Sequence, residues 1–130
     1  MFYIHSVEGG YVPSFEYMPV SAITPKVGQA LVMSSGNLVV CSGTTKPTYI
    51  SMCERAEACS AGDIIPVIRV TGDIIFETKN SAAFTSVKPG SKVTVSADGL
   101  EVTATSTDGV AEVISFSDTA VGSAVRVRFA

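Results

Sequence analysis

The sequence is poor in charged residues, has no tryptophan and contains only three leucines. Charged residues make up 16% of the chain, where about 25% is usual for a globular protein. The β-branched residues are abundant instead, with 18 valines, 9 isoleucines and 12 threonines. Such side chains are stiff in helices and fit a pleated surface. The composition therefore predicts an all-β protein, and its 46% of hydrophobic residues excludes intrinsic disorder.

Basic clusters, long apolar runs and a secretory leader are also missing. The net charge is −3 with no concentration of lysine or arginine, so binding to nucleic acid through its phosphates is not expected. The longest apolar runs are about five residues, far below the roughly 20 that a membrane helix needs. Because the first residues carry no basic and apolar leader, we expect synthesis in a cytoplasm and no membrane partner.

The residues that catalysis requires are equally sparse. His5 is the only histidine, and the twelve acidic residues are scattered, mostly beside turn glycines. The spacing of Cys41, Cys53 and Cys59 matches no zinc or redox signature. We therefore expect no enzyme, no cofactor and no metal site, and cysteines that are reduced and act as small hydrophobic residues.

An internal similarity suggests a doubled β unit. Residues 25–44 align with 87–106 at an offset of 62, and residues 60–70 align with 120–130 at an offset of 60. The shared positions are glycines and apolar residues. The chain then divides into an N-terminal segment of residues 1–24, a first β unit of residues 25–72 and a second of residues 73–130. The two units are either a true repeat or parts of one compact domain.

Alternating apolar and polar residues between turn residues predict the strands. The predicted strands lie at 29–34, 37–42, 48–53, 64–70, 92–96, 100–105, 110–116 and 124–129, with a strand, a turn and a short strand within 73–86. The only candidate helix is residues 53–60. Short strands at this spacing are typical of a small β-barrel or sandwich.

Residues 1–24 contain five of the ten aromatic residues, and glycines and prolines interrupt any long regular element there. Two interpretations are open. The segment is either an edge strand whose aromatic rings pack on the protein's own core, or an extended arm that docks on a neighbouring subunit. In the second case the candidate partner contacts are Phe2, Tyr3, Tyr11, Phe15 and Tyr17.

Two arginines are further candidate contacts. Arg126 and Arg128 occupy alternate positions of the last predicted strand, so both side chains leave the same face. They form either a solvated outer face or a contact with an acidic partner.

Residues 25–70 resemble the capsid decoration, or cement, proteins of tailed bacteriophages. The shared pattern consists of glycines and apolar residues, namely Gly28, Leu31, Gly36, Leu38, Gly43, Pro47, Ile50, Gly62, Ile65, Pro66 and Val67. The resemblance implies a β-barrel or sandwich that binds the outside of the major capsid protein lattice, as a trimer or a dimer, and stabilises the head.

The expected function is thus that of a non-enzymatic virion structural protein on the capsid surface, made in the host cytoplasm. The alternative is a carbohydrate- or receptor-binding β module of a phage fibre or surface protein, for which the aromatic residues would have to form an exposed platform.

Overall fold

The computed structural model describes all 130 residues and contains ten β-strands and no helix. The strands are β1 (Tyr3–Val7), β2 (Glu16–Pro19), β3 (Ala30–Ser34), β4 (Asn37–Val40), β5 (Tyr49–Ser51), β6 (Ile64–Arg69), β7 (Ile74–Lys79), β8 (Lys92–Val93), β9 (Ala111–Phe116) and β10 (Ala124–Arg128). The all-β prediction is confirmed. No helix is long and apolar enough to cross a membrane.

The candidate helix at residues 53–60 is not formed; of the two interpretations open for this segment, helix or strand and loop, the structure has a loop. Its backbone donors bind carbonyls outside the segment: Arg55 N donates to Pro25 O, and Cys59 N donates to Ile23 O. The residues between these two are all exposed, so the segment has no buried face that would stabilise a helical turn.

The strands form two five-stranded antiparallel sheets. The first sheet has the order β2-β6-β5-β3-β4, and the second has the order β1-β7-β10-β9-β8. The outer strands of the first sheet touch through one parallel bridge between Val20 and Leu38, which does not close a barrel. Of the two predicted architectures, the closed barrel is therefore not formed.

The two sheets share strand order and register, which extends the sequence similarity. The strands β2, β6, β5 and β3 correspond to β7, β10, β9 and β8. At an offset of 62, the pair Leu31–Tyr49 of the first sheet corresponds to Val93–Ala111 of the second. At an offset of 60, the pair Met18–Ile65 corresponds to Thr78–Val125. The strand β1 has no counterpart and is added to the edge of β7.

The hairpin of the second sheet that corresponds to the β3–β4 hairpin is irregular. Only β8 forms a regular strand there, and the predicted strand at 100–105 contributes single bridges of Val102 to Val95 and to Asn80. The turn at Asp98 is held by side chains instead, since its Oδ1 accepts bonds from Ser96 Oγ (2.7 Å) and Leu100 N (3.0 Å). Such local bonds compete with the sheet ladder.

The core has two parts because the first sheet is buried on both faces. One cluster of 17 buried residues fills the space between the two sheets, and a second cluster of seven lies on the other face of the first sheet. Neighbouring residues such as Ala30 and Leu31 therefore enter different clusters.

The first seven residues follow the edge-strand interpretation. The strand β1 pairs with β7, and Phe2 is fully buried with its ring centroid 5.5 Å from that of Phe129. Phe2 N also donates to Gly28 O at 2.8 Å. The aromatic ring thus fills the core between the sheets, so the prediction that Phe2 is a partner contact is corrected.

Candidate interaction surface

Tyr3 and Arg126 lie on the outer face of the second sheet and share one carboxylate. Tyr3 Oη donates a hydrogen bond to Glu77, and Arg126 Nε lies 3.2 Å from Glu77 Oε1. The hydrogen bond from Tyr3, followed by the hydrogen bond from Arg126, holds the pKa of Glu77 below its ordinary value. The same bond raises the pKa of Tyr3. The polar side chains of this cluster therefore have their hydrogen-bond partners within the chain.

Arg128 is also paired. Its Nη2 lies 2.7 Å from Glu112 Oε1 on the neighbouring strand β9. Both arginines on the outer face of the second sheet, Arg126 and Arg128, therefore form ion pairs with glutamates of the same chain. This face is not a patch of unpaired positive charge. Exposed pairs of this kind contribute about 0–1 kcal/mol to stability, so their main effect is to keep this face solvated.

Tyr11 ties down the loop that joins β1 to β2. Its hydroxyl donates to Asp73 Oδ2 at 2.7 Å, next to the start of β7. Asp73 also accepts a bond from Thr71, and these two bonds, the Thr71 bond first, lower its pKa. The Tyr11 side chain therefore has a structural partner in its own chain.

Phe15 and Tyr17 are different, since their side chains are 54% and 67% exposed and neither makes a side-chain hydrogen bond in the chain. They project from the face of β2 that also carries Pro19. On the adjacent strand β6, Pro66 lies opposite Tyr17, and Ile64, itself 54% exposed, lies opposite Pro19. We call the uncharged surface formed by these residues the β2–β6 surface; its members are Phe15, Tyr17, Pro19, Ile64 and Pro66.

The strand β2 is held against β6 by an ion pair on its opposite face. Arg69 donates to both carboxylate oxygens of Glu16, at 3.0 Å and 2.8 Å. The guanidinium carbon also lies 5.1 Å from the ring centroid of Tyr49, a cation–π contact. The hydrogen bond to Glu16 is the largest cause that raises the pKa of Arg69. The arrangement fixes the orientation of β2 and leaves its other face apolar and open.

The second sheet shows that folding does not require this apolar face. At an offset of 60, the five members of the β2–β6 surface correspond to Ile75, Glu77, Lys79, Ala124 and Arg126. Three of these five are charged, and the same pair of strands still forms with the same register. The exposed apolar residues of the first sheet therefore have no role in strand pairing and are available for a contact.

The edges of these two strands differ as well. The edge of β7 is covered by β1, whereas β2 meets β4 only at its C-terminal end, where Val20 bridges to Leu38 and Ser21 N donates to Leu38 O at 2.9 Å. Paired residues of antiparallel strands alternate between exchanging hydrogen bonds and exchanging none. Pro66 has no N–H, so the Tyr17–Pro66 pair is of the second kind. The N–H and C=O groups of Tyr17 thus point away from β6, at the edge of the sheet.

Sequence reasoning identified Phe15 and Tyr17 but missed Pro19, Ile64 and Pro66. The strand β6 reads IIPVIR, and apolar residues on both of its faces hide which face is open. The internal repeat held the missing information, because Pro66 aligns with Arg126. An apolar residue in one copy and a charged residue in the other indicate a solvent-facing position with an additional role.

The residues that carry the family resemblance occupy turn and core positions of the first sheet. Leu31, Leu38 and Ile65 are fully buried, and Gly36 and Gly62 have positive φ values of 86° and 91° in turns. The pattern therefore describes how this unit folds, and the β2–β6 surface lies largely outside it.

The remaining surface offers grooves but no concentrated set of reactive groups. The largest groove has a volume of about 410 Å³ and is lined by residues including Met1, Tyr3 and Leu100. The three cysteines are free, and no group of three or more His, Cys, Asp or Glu residues is placed to hold a metal. Comparison of the chain with protein families, with curated proteins and with solved structures finds no match in any of the three.

Proposed function

We propose that the protein is a non-enzymatic structural component of a phage virion, which binds the outside of the capsid lattice and stabilises the head. The observation that carries this proposal is the β2–β6 surface, an exposed apolar face that folding does not require. Contiguous apolar surface of this kind is typical of protein–protein contacts, and exposed Tyr and Phe rings are suitable anchors. The choice of a capsid as the partner rests on the family resemblance of residues 25–70.

The mechanism is one of binding without chemistry. A protein that binds only the mature, expanded shell stabilises that shell by mass action. A stable contact buries about 800 Å² on each partner, and many copies on one lattice multiply the effect. The outer face of the second sheet carries paired charges, so we expect the apolar β2–β6 surface to face the shell.

The test is binding of the purified protein to expanded shells of the same phage that lack it. The informative variant carries Tyr17→Glu together with Pro66→Arg. These are the residues found at the equivalent positions of the second sheet, Glu77 and Arg126. We expect this variant to bind at least about 100-fold more weakly, because contact with the shell would then remove a charged pair from water against an apolar partner surface. The control is Val121→Ser, which changes an exposed apolar residue of the second unit and should bind like the wild type. Equal binding of all three proteins would reject this surface, and no binding of the wild type would reject the function.

The alternative function, recognition of a carbohydrate or receptor, uses the same exposed rings. Phe15 and Tyr17 are the aromatic side chains with the largest exposure, and an aromatic platform is what sugar binding would require. A glycan array separates the two functions. Specific glycan binding that Tyr17→Ala abolishes, combined with no binding to shells, would favour the alternative.

A further inference from the structure

We propose that the second sheet binds a neutral oligosaccharide in a trough formed by two grooves that meet at Ala124. The trough shares no residue with the β2–β6 surface. The inference therefore depends neither on the capsid partner nor on the exposed rings of Phe15 and Tyr17.

The trough crosses three neighbouring strands. One groove, of about 410 Å³, is lined by residues of β1, β7 and the turn at Asp98. The other, of about 220 Å³, extends across β10 to Ser115 on β9. Ala124 lines both grooves. Since β7, β10 and β9 are adjacent in the sheet and neighbouring strands lie about 4.8 Å apart, the trough covers about 10 Å of the sheet, which is longer than a single sugar ring.

The small side chain of Ala124 keeps the two grooves continuous. At an offset of 60 the equivalent residue of the first sheet is Ile64, which lies opposite Pro19 as Ala124 lies opposite Lys79. An isoleucine in place of Ala124 would project from the sheet between the two grooves. The same pair of strands therefore carries an apolar surface in the first unit and a polar trough in the second.

The polar groups of the smaller groove have hydrogen-bonding capacity that the chain does not use. Arg126 donates to Glu77 through Nε, and its two Nη groups have no partner in the chain. The Glu77 carboxylate accepts bonds from Tyr3 and Arg126, whereas a carboxylate has about four acceptor sites. The side-chain hydroxyls of Ser115 and Ser117, which also line this groove, make no hydrogen bond in the chain. Free donors and acceptors thus lie side by side.

The charges of the trough favour a neutral ligand that is rich in hydroxyl groups. Its lining includes the basic residues Lys79 and Arg126 and the acidic residues Glu77, Asp98 and Glu101. An anion would meet the carboxylates and a cation would meet the basic groups, while an apolar ligand would take these charges out of water without new partners. A hydroxyl group both donates and accepts, so a sugar can bond to a guanidinium and to the carboxylate beside it.

The groups that would bind the sugar are fixed before it binds. Tyr3 lines one groove, and Glu77 and Arg126 line the other, so their shared hydrogen bonds hold the two grooves in one arrangement. The bond from Tyr3 is the largest cause that lowers the pKa of Glu77, and the bond from Ser96 is the largest cause that lowers the pKa of Asp98. Both carboxylates therefore remain charged acceptors at neutral pH. Groups held in this way lose little conformational entropy on binding, and the half-exposed ring of Tyr3 offers an apolar face to the C–H groups of a sugar.

The first experiment is an NMR titration of the untagged, isotope-labelled protein. The probes are the neutral sugars lactose, maltotriose and chitotriose, and the charged sugar sialyllactose. We expect saturable changes in the backbone amide signals of trough residues with at least one neutral sugar, and no tighter binding of sialyllactose than of lactose. No saturable change with any neutral sugar, tighter binding of sialyllactose, or changes confined to the β2–β6 surface would each overturn the inference.

Two matched variants test the junction of the grooves. Ala124→Ile introduces the residue found at the equivalent position of the first sheet and should weaken sugar binding at least about tenfold, because the side chain would block the trough. Ala61→Ile makes the same exchange at an exposed turn position outside the trough, where the equivalent residue of the second unit is the exposed Val121. It should bind like the wild type. Equal affinities of the two variants would overturn the inference.

Glu77→Gln tests the chemistry of binding. It keeps the shape of the side chain and removes the charge, so it should weaken sugar binding about tenfold, and an unchanged affinity would also overturn the inference. Thermal unfolding of the three variants verifies that they are folded. None of these results depends on binding to shells, so the inference and the proposed function succeed or fail separately.

Discussion

Gly28 shows how tightly the N-terminus is fitted to the first sheet. Its φ is 77°, and a Cβ atom added there would lie 2.5 Å from Met1 Cβ and 2.8 Å from Phe2 O. Gly62 has a similar φ of 91° but open space around it. We expect Gly62→Ala to lower the free energy of unfolding by roughly 1–2 kcal/mol through backbone strain alone. Gly28→Ala should cost roughly 1–3 kcal/mol more because of the clash. Urea unfolding of both variants measures the difference, and equal losses would contradict the fit of Phe2 described here.

Cys41 makes stability depend on pH in the alkaline range. Burial raises the pKa of its thiol from 9.0 to about 11, and its Sγ donates to Thr45 O at 3.1 Å. Between pH 9 and 11 the unfolded chain has lost this proton and the folded chain has kept it. The free energy of unfolding therefore falls as the pH rises through this range. Cys41→Ser keeps a donor but does not titrate there, so its stability should fall less steeply in urea unfolding at pH 8, 9, 10 and 11. Parallel profiles for the two proteins would show that Cys41 does not contribute.

At the level of strands, Val20 and Asn80 occupy equivalent positions of the two sheets, at an offset of 60. Both are fully buried, and each forms a parallel bridge to a residue of the hairpin that follows, Leu38 for Val20 and Val102 for Asn80. Asn80 Oδ1 accepts a bond from Ser123 N at 2.8 Å, but its Nδ2 has no partner. A buried polar group without a partner costs about 1–3 kcal/mol, so the second sheet carries a local defect that the first sheet lacks.

Exchanging these two residues tests the equivalence of the sheets. Asn80→Val should leave the free energy of unfolding within about 1 kcal/mol of the wild type or raise it, since the unpaired Nδ2 is removed. Ser123 N keeps its bond to Ala120 O at 3.3 Å. Val20→Asn should lower the free energy of unfolding by roughly 3 kcal/mol, because an amide would enter an apolar cluster. Chemical denaturation of the two variants is the measurement, and similar losses in both would mean that the shared register does not extend to the packing.

The strands were predictable where periodicity and turns agree. The predicted strands at 64–70 and 124–129 match β6 and β10 closely, because both are runs rich in valine and isoleucine that follow a turn glycine, Gly62 or Gly122. The strand predicted at 100–105 failed because the side chains of Ser96 and Asp98 hold the turn and displace the ladder. The place of β2 at the end of its sheet could not be predicted, since no local pattern indicates the order of strands in a sheet.

At the scale of the whole molecule, the two units are joined by hydrogen bonds and by a shared core cluster. Hydrogen bonds cross between the two units, among them Ala30 N to Gly99 O at 2.8 Å and Gln29 Nε2 to Asp98 O at 2.9 Å. The larger core cluster also draws residues from both units and from the N-terminal segment. The two units thus share the larger core cluster and differ in the solvent-facing residues of their equivalent strands, which are charged in the second sheet and apolar in the first.

This shared core leads to the last prediction, which concerns folding as a unit. Residues 25–72 and residues 73–130, produced separately, should each remain unfolded by circular dichroism, because each would expose the apolar surface that the other buries. The full chain should unfold in one calorimetric transition, with a ratio of calorimetric to van't Hoff enthalpy close to unity. The prediction fails if either half folds alone or if calorimetry resolves two transitions. In that case the two units would be domains whose contact adds little to stability.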